Sequence, residues 1–197
     1  MLRLKPESVT DYKIRRQSID ARRKQDISYV YTVDVEVREE ERVLGRIKGN
    51  HISRAKDVMY RFPEPGERIL HHRPVIIGSG PAGLFCAYLL AEHGFCPLIV
   101  ERGKPIEERT EDVEKFWKEN ILNPDSNVQF GEGGAGTFSD GKLNTLVKDV
   151  KGRNKKVLDI FVRHGAPEEI LYQGKPHIVT DILRSVIQNM RRQIETW

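Results

Sequence analysis

The chain has 197 residues, 38% of them hydrophobic and 31% charged, with 33 Lys+Arg against 29 Asp+Glu. At roughly 100–200 residues per domain this length allows one or two domains, and the intermixed signs exclude a disordered polyelectrolyte. No apolar run reaches the ~18 residues of a membrane span, and no signal-peptide core opens the chain. Two cysteines, Cys86 and Cys96, cannot build a disulfide framework, so a reducing, cytoplasmic setting is expected.

The charge is unevenly placed: residues 1–73 carry 17 Lys+Arg against 12 Asp+Glu, and residues 74–197 carry 16 against 17. Arg15-Arg16 and Arg22-Arg23-Lys24 form a basic cluster. Asp20, Asp26 and Glu39-Glu40-Glu41 interrupt it, so the reading is a solvated face with no nucleic-acid partner.

In chain order, residues 27–37 place Ile27, Tyr29, Tyr31, Val33, Val35 and Val37 on alternate positions, the pattern of a half-buried strand. Residues 13–22 are its weaker candidate partner, and residues 51–60 read as a short helix. Together, residues 1–60 form an expected small α+β accessory domain. Residues 61–73 contain Pro63, Pro65 and Gly66 and read as a linker. Residues 74–197 begin a different grammar. Val75-Ile76-Ile77 is a continuous apolar run, which suits a parallel strand covered on both faces. A glycine turn at 78–83, a buried helix closed by Gly94, and a second apolar strand at 97–100 complete a βαβ unit. Residues 105–120 read as an amphipathic helix with Ile106, Val113, Phe116 and Trp117 on one side. A short helix follows at 155–164, and Thr180 or Asp181 caps a last helix that runs to Trp197.

Two segments carry chemistry. Gly78-Ser79-Gly80-Pro81-Ala82-Gly83 follows a strand, opens a helix, and is followed 23 positions after Gly78 by the acidic Glu101. This is the dinucleotide fingerprint with its context met. Gly78 permits the tight turn, Gly80 admits a pyrophosphate, Gly83 permits close helix–strand packing, and the helix N-terminus faces the phosphates. Glu101 is placed to accept from both ribose hydroxyls and would repel a 2′-phosphate; spacing alone does not choose between NAD and FAD. The second segment, residues 130–142, has five glycines in residues 131–141 among Phe130, Phe138 and Leu143. It reads as a loop that wraps a ligand, not as a flexible linker.

With these residues in hand, the chain resembles a family of bacterial FAD-dependent oxidoreductases known as NAD(FAD)-utilizing dehydrogenases. The likeness is carried by residues 73–85 (RPVIIGSGPAGLF), Glu101-Arg102-Gly103, residues 127–144 (NVQFGEGGAGTFSDGKLN) and Lys175-Pro176-His177, with a weaker match over residues 17–22. It implies a Rossmann-type FAD-binding domain, here only its N-terminal part, behind a small α+β domain. It further implies that Gly78, Gly80, Pro81, Ala82 and Gly83 face the pyrophosphate, and that Glu101 and Arg102 belong to the adenosine side. By the same likeness, Gly133, Gly134, Ala135, Gly136, Thr137 and Lys142 belong to the flavin side. Val179 stands where the family usually has glycine, and family members are longer, so a fragment or shortened form is expected.

The six histidines show no paired metal spacing, and no metal is expected. His177 is read as a loop histidine, with a proton donor near the flavin as its alternative. Arg109 is read as a surface residue of an acidic helix, with a phosphate contact as its alternative. Lys142 is the cation best suited to a reduced flavin. The expected function is that of an FAD-binding oxidoreductase with no assigned substrate or catalytic residue and with NAD(P)H as a candidate electron donor. Two alternatives stay open: an NAD-dependent dehydrogenase, and a non-catalytic truncated nucleotide-binding module. Self-association is expected from apolar surface left uncovered.

Overall fold

The computed structural model describes residues 4–46, 51–143, 145 and 147–197. The chain is mixed α/β, with two separate two-stranded sheets among the described residues. Strands β1 (Val9–Asp20) and β2 (Ser28–Val37) form an antiparallel hairpin, followed by the short helix α1 (Glu40–Arg46). Strands β3 (Val75–Ile77) and β4 (Leu98–Val100) pair in parallel, with Val75 opposite Leu98 and Ile77 opposite Val100. Helix α2 (Pro81–Glu92) is the crossover between them. Then come α3 (Ile106–Glu119), α4 (Arg153–Arg163) and α5 (Thr180–Thr196).

The main core forms where α2 meets α4 and α5. Leu84 and Tyr88 pack with Ile160, Phe161, Ile170, Leu183, Val186, Ile187 and Met190. The amphipathic period of α5 explains its share, because the helix buries Leu183, Val186, Ile187 and Met190 at three- and four-residue spacing. A second, smaller cluster joins Ile106 and Val113 of α3 to Phe138 of the glycine-rich loop. Helix α2 ends as expected: Gly94, at φ +79, follows the C-cap residue His93.

Several expectations are corrected. Residues 51–60 form no helix. They run alongside the start of α4 and are held by ion pairs from Asp57 to Arg15 and Lys155, with Gly152 closed against the backbone of residues 58–60. The alternating face of β2 is not half-buried: Tyr29 and Tyr31 are 63% and 46% exposed. Helix α1 and residues 51–56 stand over it only loosely and line a cavity of about 940 Å³ with it. The parallel pair is likewise uncovered on one side, with Ile77 80% exposed, because the described residues supply a helix layer for one face only. In α3, Trp117 is exposed, while Arg109 and Asp112 are buried. Val179 is the N-cap of α5; Thr180 is its first residue and donates its hydroxyl to the Ser139 carbonyl instead.

The N-terminal hairpin also touches the rest of the chain. The Gln17 amide donates to the Tyr172 carbonyl at 2.7 Å, and the Gly174 amide donates to Gln17 at 2.9 Å. Residues 61–73 form no helix or strand, but Phe62 stacks on His93 and Arg73 donates to the Cys96 and Pro97 carbonyls.

Candidate functional site

The first glycine turn leaves β3 at Gly78, whose amide donates to the Val100 carbonyl at 2.7 Å. Each of its glycines has a different physical reason. Gly78 sits at φ +93, a conformation that costs an L side chain strain. A Cβ on Gly83 would lie 2.0 Å from the Gly78 carbonyl oxygen and 3.3 Å from Ile76 Cγ2, so the helix packs on the turn only with glycine there. Gly80 is unlike both: its φ is −65 and nothing lies within 4 Å of where its Cβ would stand. The protein itself does not require glycine at that position.

Glu101 leaves the end of β4 and reaches back to this turn. Its Oε2 accepts from the Ser79 amide at 2.6 Å and from the Ser79 hydroxyl at 2.9 Å, and its Oε1 accepts from the Gly103 amide at 2.8 Å. Burial alone would raise its pKa, but the hydrogen bonds from Ser79 and Gly103 hold it below the ordinary glutamate value. A carboxylate has about four acceptor directions, so three internal bonds still leave capacity for a ribose hydroxyl. Arg102, beside it, points to the loop: its guanidinium lies 4.1 Å from the Phe130 ring centroid and 3.8 Å from Asp125.

The second glycine segment folds against the first. The Gly133 amide donates to the Ser79 carbonyl at 2.9 Å, and the Glu132 amide donates to the Lys104 carbonyl at 3.2 Å. A Cβ on Gly134, at φ +71, would meet Pro81 Cδ at 2.8 Å. Gly134 is half-buried, and Ala135 and Gly136 are exposed beside the exposed Pro81 and Ala82. The two segments therefore share one accessible strip. Thr137 is buried below it, its hydroxyl without a hydrogen-bond partner among the described residues. Buried Glu132 braces the loop by accepting from the Ile106 amide at 2.7 Å and from Arg191 at 3.0 Å. Burial pushes its pKa up, and the Ile106 hydrogen bond and the Arg191 charge only partly offset this.

Residues 141–143 pair with 176–178 through the Leu143 amide to Pro176 and the Ile178 amide to Gly141. This puts Lys142 opposite His177 and joins two of the motifs on which the family resemblance rested. Lys142 is exposed and its ammonium is paired with Asp140 at 2.7 Å, so its charge is partly matched within the loop. That hydrogen bond raises its pKa. Asn144, the last residue of the segment, lies outside the described residues.

Arg109 overturns the surface reading. It is fully buried, and its guanidinium donates to the carbonyls of Asn127, Val128, Gly131, Glu132 and Gly134 at 2.5–3.3 Å. The signal was present in the sequence: Arg109 stands three residues after Ile106 and four before Val113, on the stripe that α3 buries.

Partial matches to known families fall on the N-terminal hairpin and on the βαβ unit. Residues 1–36 match a domain of unknown function (DUF8436), and residues 76–106 match an NAD(P)-binding Rossmann-like domain. The second match begins at Ile76 within β3, takes in the glycine turn, α2, β4 and Glu101, and stops at the first residue of α3. The chain is 45% identical over 194 residues to an uncharacterized protein of Clostridium beijerinckii. That alignment takes in 98% of this chain and 36% of the relative, so the chain spans little more than a third of the relative's length. Among the described residues, no helix is long and apolar enough to cross a membrane. A nucleotide cofactor is what the Rossmann-like match supports.

Proposed function

We propose that residues 74–197 bind the ADP part of FAD as the N-terminal portion of a flavoprotein oxidoreductase, with residues 1–60 as an accessory domain and 61–73 as the connection. In this reading Gly80, Pro81 and Ala82 present the helix N-terminus to the pyrophosphate, and Glu101 holds the adenosine ribose. The strip at Gly134, Ala135 and Gly136, laid over the buried Gly133 and Thr137 and with Lys142 beyond it, faces the flavin. Bound FAD would supply hydride and electron transfer, and NAD(P)H would be its donor. The protein supplies placement: an α2 N-terminus whose partial positive charge suits phosphate, and a negative Glu101 that disfavours a 2′-phosphate.

The observation that carries this reading is Gly80. Its backbone is ordinary and its Cβ direction opens on empty space, so the fold does not need glycine there, and a close approach by a pyrophosphate gives the position a use. A second reading, NAD in place of FAD, has the match of residues 76–106 to an NAD(P)-binding domain in its favour.

The test is Gly80→Val. The substitution should leave the chain folded, at a cost of about 1 kcal/mol for a poorer N-cap of α2. It should abolish FAD binding, read by flavin fluorescence quenching and visible absorbance. Retained FAD binding by folded Gly80→Val would overturn the site assignment. A colourless wild-type protein that binds NADH and not FAD would favour the second reading.

A further inference from the structure

Arg109 is the largest fully buried side chain among the described residues, and it has no carboxylate within hydrogen-bonding distance. Five backbone carbonyls take the place of a counter-ion. Nε donates to Asn127, Nη1 to Gly131, Glu132 and Gly134, and Nη2 to Val128. The Phe138 ring lies 4.7 Å from the guanidinium carbon. Burial lowers the arginine pKa to about 10, against the raising charges of Glu101 and Glu132, and the group stays protonated at neutral pH. A buried cation is costly, and apolar packing fills a core more cheaply. Its retention therefore calls for something that a leucine would not provide.

That something is the direction of the loop's peptide groups. Gly131, Gly133 and Gly134 all have positive φ, so this backbone has many conformations open to it. Arg109 selects one by drawing the carbonyls inward. The match is mutual, because a Cβ on Gly131 would lie 2.6 Å from Arg109 Cδ. In a trans peptide the N–H points opposite to the C=O of the same unit, and no cis peptide occurs among the described residues. With the Gly134 carbonyl held on Nη1 at 2.9 Å, the Ala135 N–H must point away from the guanidinium. Ala135 is exposed, directly after the glycine that closes on Pro81.

We propose that Arg109 is the positioning residue of the second glycine segment: it turns five carbonyls inward and so presents the Ala135 N–H and the strip behind it to the dinucleotide. The proposal rests on the FAD reading for the ligand, but its effect on the loop does not. Arg109 acts through the backbone and touches no cofactor itself.

The experiment uses Arg109→Lys in the full chain, because lysine keeps the charge and lacks the planar five-donor fork. Backbone amide exchange is measured first, without nucleotide. Residues 127–137 should exchange faster than in wild type while α2 stays protected. Affinities for FAD and for AMP are measured next. FAD should weaken about tenfold or more, the scale of one or two lost hydrogen bonds, while AMP, which reaches only the Glu101 side, should hold nearly constant. If circular dichroism shows Arg109→Lys unfolded, Gly131→Ala disturbs the same contact from the loop side and should give the same pattern. Equal losses for FAD and AMP, or unchanged loop exchange in a folded variant, would overturn the proposal. Wild-type protein that binds neither ligand would instead overturn the FAD reading and the ligand half of this one, and loop exchange would still decide the role of Arg109.

Discussion

At the scale of single residues, Glu101 shows how one carboxylate serves the fold before it serves any ligand. It ties Ser79 in the first turn to Gly103 beyond β4. Its folded pKa lies below the ordinary value near 4.5, so its stabilisation is complete above that value and is lost as pH falls through the lower folded pKa. Glu132 has the opposite sign: its pKa is raised, so the folded state gains at acid pH and loses as pH rises through it. The acid limb of wild type therefore mixes both, and a difference against Glu101→Gln isolates one. At neutral pH Glu101→Gln should cost about 1.5–3 kcal/mol, the range for hydrogen bonds to a charged group. The gap should close as urea denaturation is repeated towards pH 3. A gap of equal size at both ends of the pH range would show that the ionised carboxylate is not what holds the turn. The sequence made Glu101 visible, because an acidic residue ending a strand at that distance from a glycine turn has a known geometry. It hid Arg109, because ERTEDVEKFWKE is so charged that solvation looked sufficient. The carbonyls that satisfy Arg109 come from residues 18–25 positions further on, and main-chain groups leave no mark in side-chain composition.

At the scale of elements, the glycines of residues 131–141 divide into those the fold requires and those it does not. Gly141 has φ +71, and a Cβ there would lie 1.8 Å from the Ile178 carbonyl oxygen. The pairing of 141–143 with 176–178 depends on it. Gly136 has no positive φ and nothing within 4 Å. Gly141→Ala should therefore destabilise the chain by at least about 1–3 kcal/mol, the cost of left-handed strain before any clash is added. Gly136→Ala should stay within about 0.5 kcal/mol of wild type. Thermal unfolding of the pair checks this, and equal melting temperatures would return the segment to a flexible linker. Elements with a strong local signal were legible: the continuous apolar runs of both strands of the βαβ unit, the helix between them, and the helical period of the last amphipathic helix. The expected helix at 51–60 was not there because nothing local compels it. Its residues are fixed by Asp57 bonding to Arg15 and Lys155, contacts 42 and 98 positions apart in the chain.

At the scale of the whole molecule, apolar surface is distributed unevenly. The helices α2, α4 and α5 bury their faces in one another, and the parallel strands have one face with nothing over it among the described residues. Val75, Ile77, Leu98 and Val100 are 59%, 80%, 44% and 49% exposed, all on that face. Continuous apolar strands are the mark of a sheet covered on both sides, so sequence and surface disagree here. An apolar sheet face whose two strands also carry open edges is a template for association. The chain as it stands should form concentration-dependent assemblies through this face. Ile77→Lys places a charge at its most exposed point and loses little packing, so it should shift sizing profiles towards monomer without lowering the melting temperature. Val100→Lys, on the partner strand, should do the same if the whole face is engaged. The N-terminal hairpin gives the internal control, because Tyr29 is 63% exposed on a different sheet. If Tyr29→Lys disperses the assemblies and Ile77→Lys does not, the hairpin is the adhesive surface. If wild type elutes as a monomer at every concentration, the exposed strands are stable in water and the association argument falls.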